Sequence, residues 1–154
     1  MKKTDIIVNT IAYLYALLFL YTGLSKLIDQ ASFKQTLYKS LLFHSFTDLL
    51  AIAIPSLEIL IALLIILPYS KPTSWQRKWG LNAGIILMAL FTLYVGFMLL
   101  FQKGKLPCSC GGIIQKMNWH QHFYFNSFFT LAGIAAIWLN GRKGEVHESR
   151  LAVS

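Results

Sequence analysis

Four long apolar stretches, separated by polar segments, dominate the pattern of this chain. They cover residues 6–27, 49–67, 81–101 and 123–139. Each is close to the ~20 residues that an α-helix needs to cross the ~30 Å hydrocarbon core of a bilayer. None alternates between apolar and polar positions as a membrane β-strand does. The pattern therefore predicts an all-α, polytopic membrane protein: a bundle of four transmembrane helices in a single domain, residues 1–154.

A shorter amphipathic segment lies between the first two apolar stretches. Ser32 followed by Gln35 fits a capping box at the start of a helix. The apolar residues Phe33, Leu37 and Leu41 then recur at every fourth position. They lie on the face opposite Lys34 and Lys39. This pattern predicts a short interfacial helix on the outer membrane surface, or a helix packed over the end of the bundle.

The composition supports a membrane location. Of 154 residues, 56% are hydrophobic and 13% are charged, whereas about a quarter of the residues of a soluble domain are charged. The net charge of +8 comes from 14 Lys and Arg against 6 Asp and Glu. Because the basic residues are scattered and form no long run, lipid head groups are the expected counterions and nucleic acid is not an expected partner.

The Lys and Arg residues near the ends of the stretches predict the orientation. Placing both termini in the cytoplasm puts the larger share of these residues inside, and puts the loop before the fourth stretch outside. The first stretch is longer than a signal-peptide core and lacks a small-residue cleavage site after it, so we expect it to remain as the first span. The expected location is the bacterial cytoplasmic (inner) membrane.

The only two cysteines, Cys108 and Cys110, lie in the loop before the fourth stretch, between Pro107 and Gly111. Outside the cytoplasm, thiols can be oxidised and kept as disulfides. Cα atoms two residues apart can fall within disulfide range, and the very small ring that closes is strained. Strained, exposed disulfides are typically labile or catalytic. We therefore predict a redox pair, with inert thiols in a turn as the alternative.

Two histidines follow the cysteines. Asn118 with Gln121 predicts a helix start, which places His120 and His122 in the first turn. Residues two apart on a helix point about 200° away from each other, so they cannot easily bind one ion. A three-ligand metal site with both cysteines and one histidine remains the rival chemistry.

His122 is the candidate for tuning a cysteine. It shares a helix face with Asn126, one turn further on, and lies close to the cysteines in sequence. A histidine there, or the positive end of its helix, can stabilise a thiolate. The alternative is an interfacial histidine whose hydrogen bonds are satisfied.

Two charged residues fall within apolar stretches. Glu58 lies near the middle of the second stretch, where a bare charge costs ~2.5 kcal/mol or more, and Lys26 lies near the outer end of the first. An ion pair between them would satisfy both. Proton transfer, or a polar pocket that binds a quinone head group, is the alternative use. Asn82 and Asn126 are candidates to extend a polar interior or to join helices.

Three motifs, taken in order and placement, resemble the DoxX-like family, and within it the branch of the methylamine utilisation protein MauE. They are Gly23-Leu24-Ser25-Lys26, Pro55-Ser56-Leu57-Glu58 and Cys108-Ser109-Cys110-Gly111. Gly112 stands where that branch is expected to have an aromatic residue. The resemblance implies a four-helix membrane protein associated with thiol redox chemistry outside the cytoplasm, often alongside a thioredoxin-like partner. MauE-like proteins are linked to disulfide formation during the maturation of methylamine dehydrogenase.

The first hypothesis is therefore a thiol-disulfide exchange protein with Cys108 and Cys110 as its redox pair and His122 beside them. One cysteine pair excludes a two-pair relay within the chain, so a thioredoxin-like protein would exchange electrons directly with the loop. A quinone near the loop is the cofactor considered first, and a metal ion or haem is less favoured.

Two further classes of function remain open. One is a non-catalytic subunit that scaffolds a larger envelope complex, for which small residues would permit close helix contacts with the partner (Gly80, Gly84, Gly96 and Gly133). The other is a quinone-linked oxidoreductase or transport subunit centred on Glu58.

Overall fold

The computed structural model describes residues 3–40, 43–67, 75–101 and 118–151, and every regular element in these ranges is helical. In chain order the elements are α1 (Lys3–Ile28), α2 (Gln30–Lys39), a 3₁₀ turn (His44–Phe46), α3 (Thr47–Ile66), α4 (Trp75–Phe101) and α5 (Trp119–Leu151). For the described part of the chain, the all-α prediction is confirmed.

The four long helices form a bundle. Helices α3 and α5 each pack against both α1 and α4, so α1 and α4 lie diagonally opposite. Neighbouring helices run antiparallel, because Gly23 lies against Pro55 while Phe19 and Ile61 meet around Gly84. The end of α1, the start of α3, the end of α4 and the start of α5 therefore share one end of the bundle. We call it the α2 end, because α2 packs there on α3.

Three helical segments among the described residues are long and apolar enough to cross a membrane: Asp5–Ile28, His44–Ile66 and Lys78–Phe101. They match the first three predicted spans. Helix α5 is not among these three segments. It nevertheless packs against α1 and α4 as the fourth helix of the bundle, and its 33 residues extend well past the expected end at residue 139.

Large apolar side chains cover the outside of the bundle. One example on each long helix is more than half exposed: Leu17 at 65%, Leu60 at 53%, Leu93 at 70% and Leu131 at 67%. Soluble monomers rarely expose so much contiguous apolar surface, whereas a bilayer accepts it and the helices satisfy their own backbone hydrogen bonds. The protein is therefore a multi-pass membrane protein.

The half of the bundle away from the α2 end has an apolar core. Tyr15, Phe19 and Ile61 are almost completely buried there, together with Ile85. The Tyr15 hydroxyl donates a hydrogen bond of 2.6 Å to the backbone carbonyl of Phe129, which joins α1 to α5. The Tyr15 hydroxyl, although it lies in an apolar layer, is thus hydrogen-bonded across the interface between α1 and α5.

The start of α2 differs from the sequence prediction. Asp29, not Ser32, is the N-cap, and its carboxylate accepts a hydrogen bond from the backbone N–H of Ser32 at 3.3 Å. Only Asp29 separates α1 from α2, so the second helix begins earlier than the capping-box pattern suggested.

The apolar face of α2 packs over the end of the bundle. Phe33 and Leu37 are buried against Ala51 of α3, whereas Leu41 lies outside the described residues. Of the two predicted arrangements for this helix, the structure therefore supports packing against the bundle end.

Replacing Tyr15 with Phe removes the hydroxyl and leaves the ring in place. We expect this variant to lose about 1 kcal/mol of unfolding free energy, because one buried hydrogen bond is lost without a cavity. Thermal unfolding of the purified protein in detergent measures the change. Tyr124→Phe, at a side chain that is 71% exposed, is the matched control, and an equal effect of both variants would contradict the assigned role of Tyr15.

Candidate functional site

A buried ion pair joins α1 to α3. The Nζ atom of Lys26 lies 2.5 Å from Oε1 of Glu58, and the two residues are 5% and 1% exposed. The predicted pairing is confirmed. Since each charge is costly inside a bundle, removing either partner alone leaves the other uncompensated. The carboxylate is enclosed, which supports the role of organising the bundle.

Gly23 brings the two helix backbones together beside this pair. A Cβ atom at Gly23 would lie 2.9 Å from the Ile59 side chain, 3.0 Å from the Pro55 carbonyl oxygen and 3.3 Å from the Glu58 Cβ. Only glycine fits there without moving the α3 backbone. The motifs at residues 23–26 and 55–58 are therefore two sides of one contact, in which Gly23 sets the distance and Lys26 makes the bond.

Two aromatic rings flank the Lys26 ammonium. Its Nζ lies 5.7 Å from the centroid of Phe33 on α2 and 5.5 Å from that of Phe91 on α4. Both distances are within the range of cation–π attraction. Lys26 thus contacts α2, α3 and α4 at once. The amphipathic pattern predicted only a packing role for Phe33, and no local pattern pointed to Phe91.

The start of α5 is fixed by reciprocal capping. The Asn118 backbone N–H donates to Oε1 of Gln121 at 3.0 Å, and the Gln121 N–H donates to Oδ1 of Asn118 at 2.8 Å. The predicted helix start is confirmed. The cap determines which residues of the first turn face the bundle.

His122 faces the bundle and His120 faces away from it. His122 is 6% exposed, whereas His120 is exposed. The Nδ1 atom of His122 is buried and has no hydrogen-bond partner among the described residues. A buried polar atom without a partner costs about 1–3 kcal/mol, so a polar group that reaches this nitrogen would stabilise the fold.

A polar stripe continues from His122 along the inner face of α5. Asn126 is 5% exposed, and one turn deeper the Thr130 hydroxyl donates to the Asn126 carbonyl at 2.8 Å. The hydroxyls of Thr130 and Thr92, on α4, lie 3.1 Å apart. The prediction of a polar interior is confirmed for Asn126 but wrong for Asn82, which is exposed on α4. Thr130 was not among the predicted interior residues. Its position four residues after Asn126, which puts both on one helix face, could have indicated it.

Three of the four glycines expected to contact a partner are used within the bundle. A Cβ atom at Gly80 would lie 3.1 Å from Leu64 and Ile65, and one at Gly84 would lie 3.0 Å from Phe19. At Gly133 the same test gives 2.5 Å to Ile85. The expectation of an intermolecular role is therefore wrong for these three positions. Gly96 likewise lies beside Phe123 of α5, at 3.3 Å.

Cys108 and Cys110 lie outside the described residues, in the segment that joins α4 to α5 in sequence. Both of these helices reach the α2 end, and His122 lies in the first turn after that segment. His122 belongs to the α4–α5 side of the bundle, whereas the Lys26–Glu58 pair lies between α1 and α3. In the described ranges, no three His, Cys, Asp or Glu side chains are grouped closely enough to hold a metal ion.

The family model described as methylamine utilisation protein MauE matches residues 4–139 of this chain. That range includes all of the motifs and side chains described above. No curated protein and no solved structure matches the chain significantly.

Breaking the Lys26–Glu58 pair from one side should destabilise the protein strongly. We expect Lys26→Met or Glu58→Leu alone to cost about 3–5 kcal/mol, and the double replacement to cost less than either. Thermal unfolding and monodispersity in detergent measure both effects. Lys34→Gln breaks an exposed ion pair with Asp48 and should cost at most about 1 kcal/mol. Additive losses in the double variant would show that the two charges do not stabilise each other.

Gly23→Ala should also destabilise the bundle, although an alanine normally stabilises a helix relative to glycine by about 1 kcal/mol. The added methyl group meets a backbone carbonyl that cannot turn away. Gly96→Ala is the matched control, because its methyl group meets only the Phe123 ring at 3.3 Å. A gain in thermal stability for Gly23→Ala would refute the close approach at this position.

Proposed function

The chain belongs to the MauE family, and on that premise we propose that it is a thiol-disulfide exchange protein of the bacterial inner membrane. A multi-pass membrane protein of this family has a membrane role in methylamine utilisation. In our proposal that role is the transfer of electrons between the pair Cys108 and Cys110 and a thioredoxin-like protein outside the cytoplasm.

The proposed topology has four spans with both termini in the cytoplasm. Helix α5 supplies the fourth span, since its 33 residues measure about 50 Å against ~30 Å of hydrocarbon. The distribution of Lys and Arg supports an orientation in which the α2 end, and the cysteine segment that follows α4, face the extracytoplasmic side. Disulfides persist on that side and are rare in the cytoplasm.

The main support for this proposal is the buried environment of His122. Its imidazole is 6% exposed, and its Nδ1 atom has no hydrogen-bond partner in the described part of the chain. It lies in the first turn of α5, where backbone N–H groups and the helix dipole favour an anion. A cysteine thiolate from the adjoining segment is the group that this environment would stabilise, which lowers the pKa of the thiol and makes it the attacking group.

The exchange itself follows from ordinary thiol chemistry. A thiolate of the C-x-C pair attacks one sulfur of the partner's disulfide, forming a mixed disulfide and releasing a partner thiolate. The second cysteine then attacks the mixed disulfide, which closes the Cys108–Cys110 bond and releases the partner's second thiolate. Two electrons pass to the partner, whose two thiolates take up the two protons that the C-x-C thiols lost. The reverse sequence reduces the pair. A quinone near the loop would be the alternative electron carrier.

The structure weakens the support for the other two classes of function. The scaffold hypothesis drew on small residues free for a partner, and Gly80, Gly84 and Gly133 are occupied by contacts within the bundle. The hypothesis centred on Glu58 drew on an available carboxylate, and that side chain is 1% exposed and bonded to Lys26. Neither observation weakens the support for thiol-disulfide exchange through Cys108 and Cys110.

The purified protein should exchange its thiols with glutathione. We expect Cys108 and Cys110 to change together between reduced and oxidised forms as one two-electron couple, read by alkylation mass shift in buffers of defined glutathione ratio. The Cys108→Ser, Cys110→Ser double variant should keep its thermal midpoint and lose all exchange. Failure of the wild-type protein to form the Cys108–Cys110 disulfide at any ratio of oxidised to reduced glutathione would contradict the proposal.

Replacing His122 should slow the reactive thiol. In His122→Gln we expect thiolate labelling at pH 7 to fall several-fold and the labelling midpoint to move to higher pH, because a group that favours the anion is lost. His120→Gln, in the same turn but exposed, is the matched control and should behave as wild type. Identical pH profiles for both variants would remove His122 from the site and leave the cysteine exchange itself untouched.

A further inference from the structure

An open groove of about 600 Å³ lies at the α2 end, between α2 and the start of α3. Its lining includes Lys34 and Tyr38 from α2, His44 and Ser45 from the 3₁₀ turn, and Asp48 from α3. The first apolar span ends at Ile28 and the next begins at His44. The groove therefore lies where two spans leave the hydrocarbon and enter the head-group region of the membrane.

The groove presents two opposite charges side by side. The Nζ atom of Lys34 lies 2.9 Å from Oδ1 of Asp48, and these side chains are 40% and 91% exposed. An exposed pair of this kind is worth little by itself, so either charge can change partner at small cost. The rings of Tyr38 and His44 contact each other with their centroids 4.3 Å apart and their planes tilted by 41°, and both line the groove beside the charges.

Below the charges the surface becomes apolar. Phe46 and Leu49 line the groove and are 60% and 67% exposed, and Ile52, one turn along α3, is 56% exposed. These side chains continue into the lipid-facing side of α3. An occupant that fits this sequence of surfaces has a polar head with both charges and an apolar tail.

We propose that the groove binds the head group of phosphatidylethanolamine, with the acyl chains lying along Phe46, Leu49 and Ile52. The lipid phosphate replaces Asp48 at the Lys34 ammonium, and the primary ammonium of the lipid donates to the Asp48 carboxylate, both as charge-assisted hydrogen bonds. A choline head group has no N–H to donate. A phosphatidylglycerol head group has no cation and would place a net negative charge beside Asp48.

This site is independent of the proposed thiol chemistry. Its consequence is mechanical: a bound lipid holds α2 and the start of α3 at the membrane surface. Lys26 contacts Phe33 of the same helix α2, so a lipid that holds α2 would stabilise the end of the bundle that precedes and follows the cysteine segment in sequence.

Native mass spectrometry of the purified protein in detergent tests the proposal. With three lipids of identical acyl chains, we expect the ethanolamine lipid to bind about tenfold more tightly than the choline or glycerol lipid, the effect of roughly one charge-assisted contact. Asp48→Asn should abolish that preference, because it removes the carboxylate that accepts from the ethanolamine ammonium. Lys34→Gln should weaken the binding of all three lipids, because it removes the contact to the phosphate that they share. Both variants should fold normally, because the pair that they break is exposed.

Lys39→Gln is the matched control, since Lys39 is exposed on the same helix and does not line the groove; it should retain the preference. Equal binding of the three lipids, an unchanged preference in Asp48→Asn, or unchanged affinities in Lys34→Gln would overturn the site. Tighter binding of the glycerol lipid would replace it with a simple anion site. Glycerophosphoethanolamine that binds as tightly as the whole lipid would assign the groove to a soluble ligand instead, because the acyl chains would then contribute nothing.

Discussion

The buried ion pair between Lys26 and Glu58 constrains the packing of four helices. An ammonium or a carboxylate inside an apolar bundle needs an opposite charge, so α1 and α3 must meet at the depth where these two residues face each other. Gly23 allows that approach, and the aromatic rings of Phe33 and Phe91 enclose the remaining sides of the ammonium. Because these rings belong to α2 and α4, one lysine fixes the positions of three neighbouring helices.

The polar residues of the interior are concentrated toward the α2 end. The ion pair occupies the α1–α3 side, and the stripe that begins with His122 and Asn126 occupies the α4–α5 side, whereas the other half of the core is filled by apolar side chains. In the proposed orientation this polar half lies next to the extracytoplasmic surface. If Cys108 and Cys110 act as proposed, the helix that follows them in sequence carries His122 in its first turn, a buried histidine whose Nδ1 atom has no hydrogen-bond partner among the described residues.

The features that could be predicted from the sequence are those governed by one local or pairwise rule. Helix positions followed from apolar length, the Lys26–Glu58 pair from the cost of a lone charge in hydrocarbon, and the start of α5 from the Asn118–Gln121 spacing. The errors arose where the outcome depends on tertiary neighbours. The N-cap of α2 is Asp29 and not Ser32, because α1 and α2 nearly abut. Three glycines that were expected to contact a partner instead face side chains within the bundle (Tyr15, Phe19, Leu64, Ile65 and Ile85). No sequence pattern could predict the two rings that flank Lys26, because they belong to other helices, α2 and α4.

In our proposal Cys108 and Cys110 form a redox pair on the extracytoplasmic side, at the His122 end of the bundle. Labelling of intact cells with a membrane-impermeant thiol reagent, before and after reduction, tests its location and its chemistry together. We expect the two cysteines to be labelled only after reduction. Cysteines that remain unlabelled in intact cells after reduction, yet react once the cells are lysed, would lie on the cytoplasmic side and would contradict both the orientation and the proposed exchange.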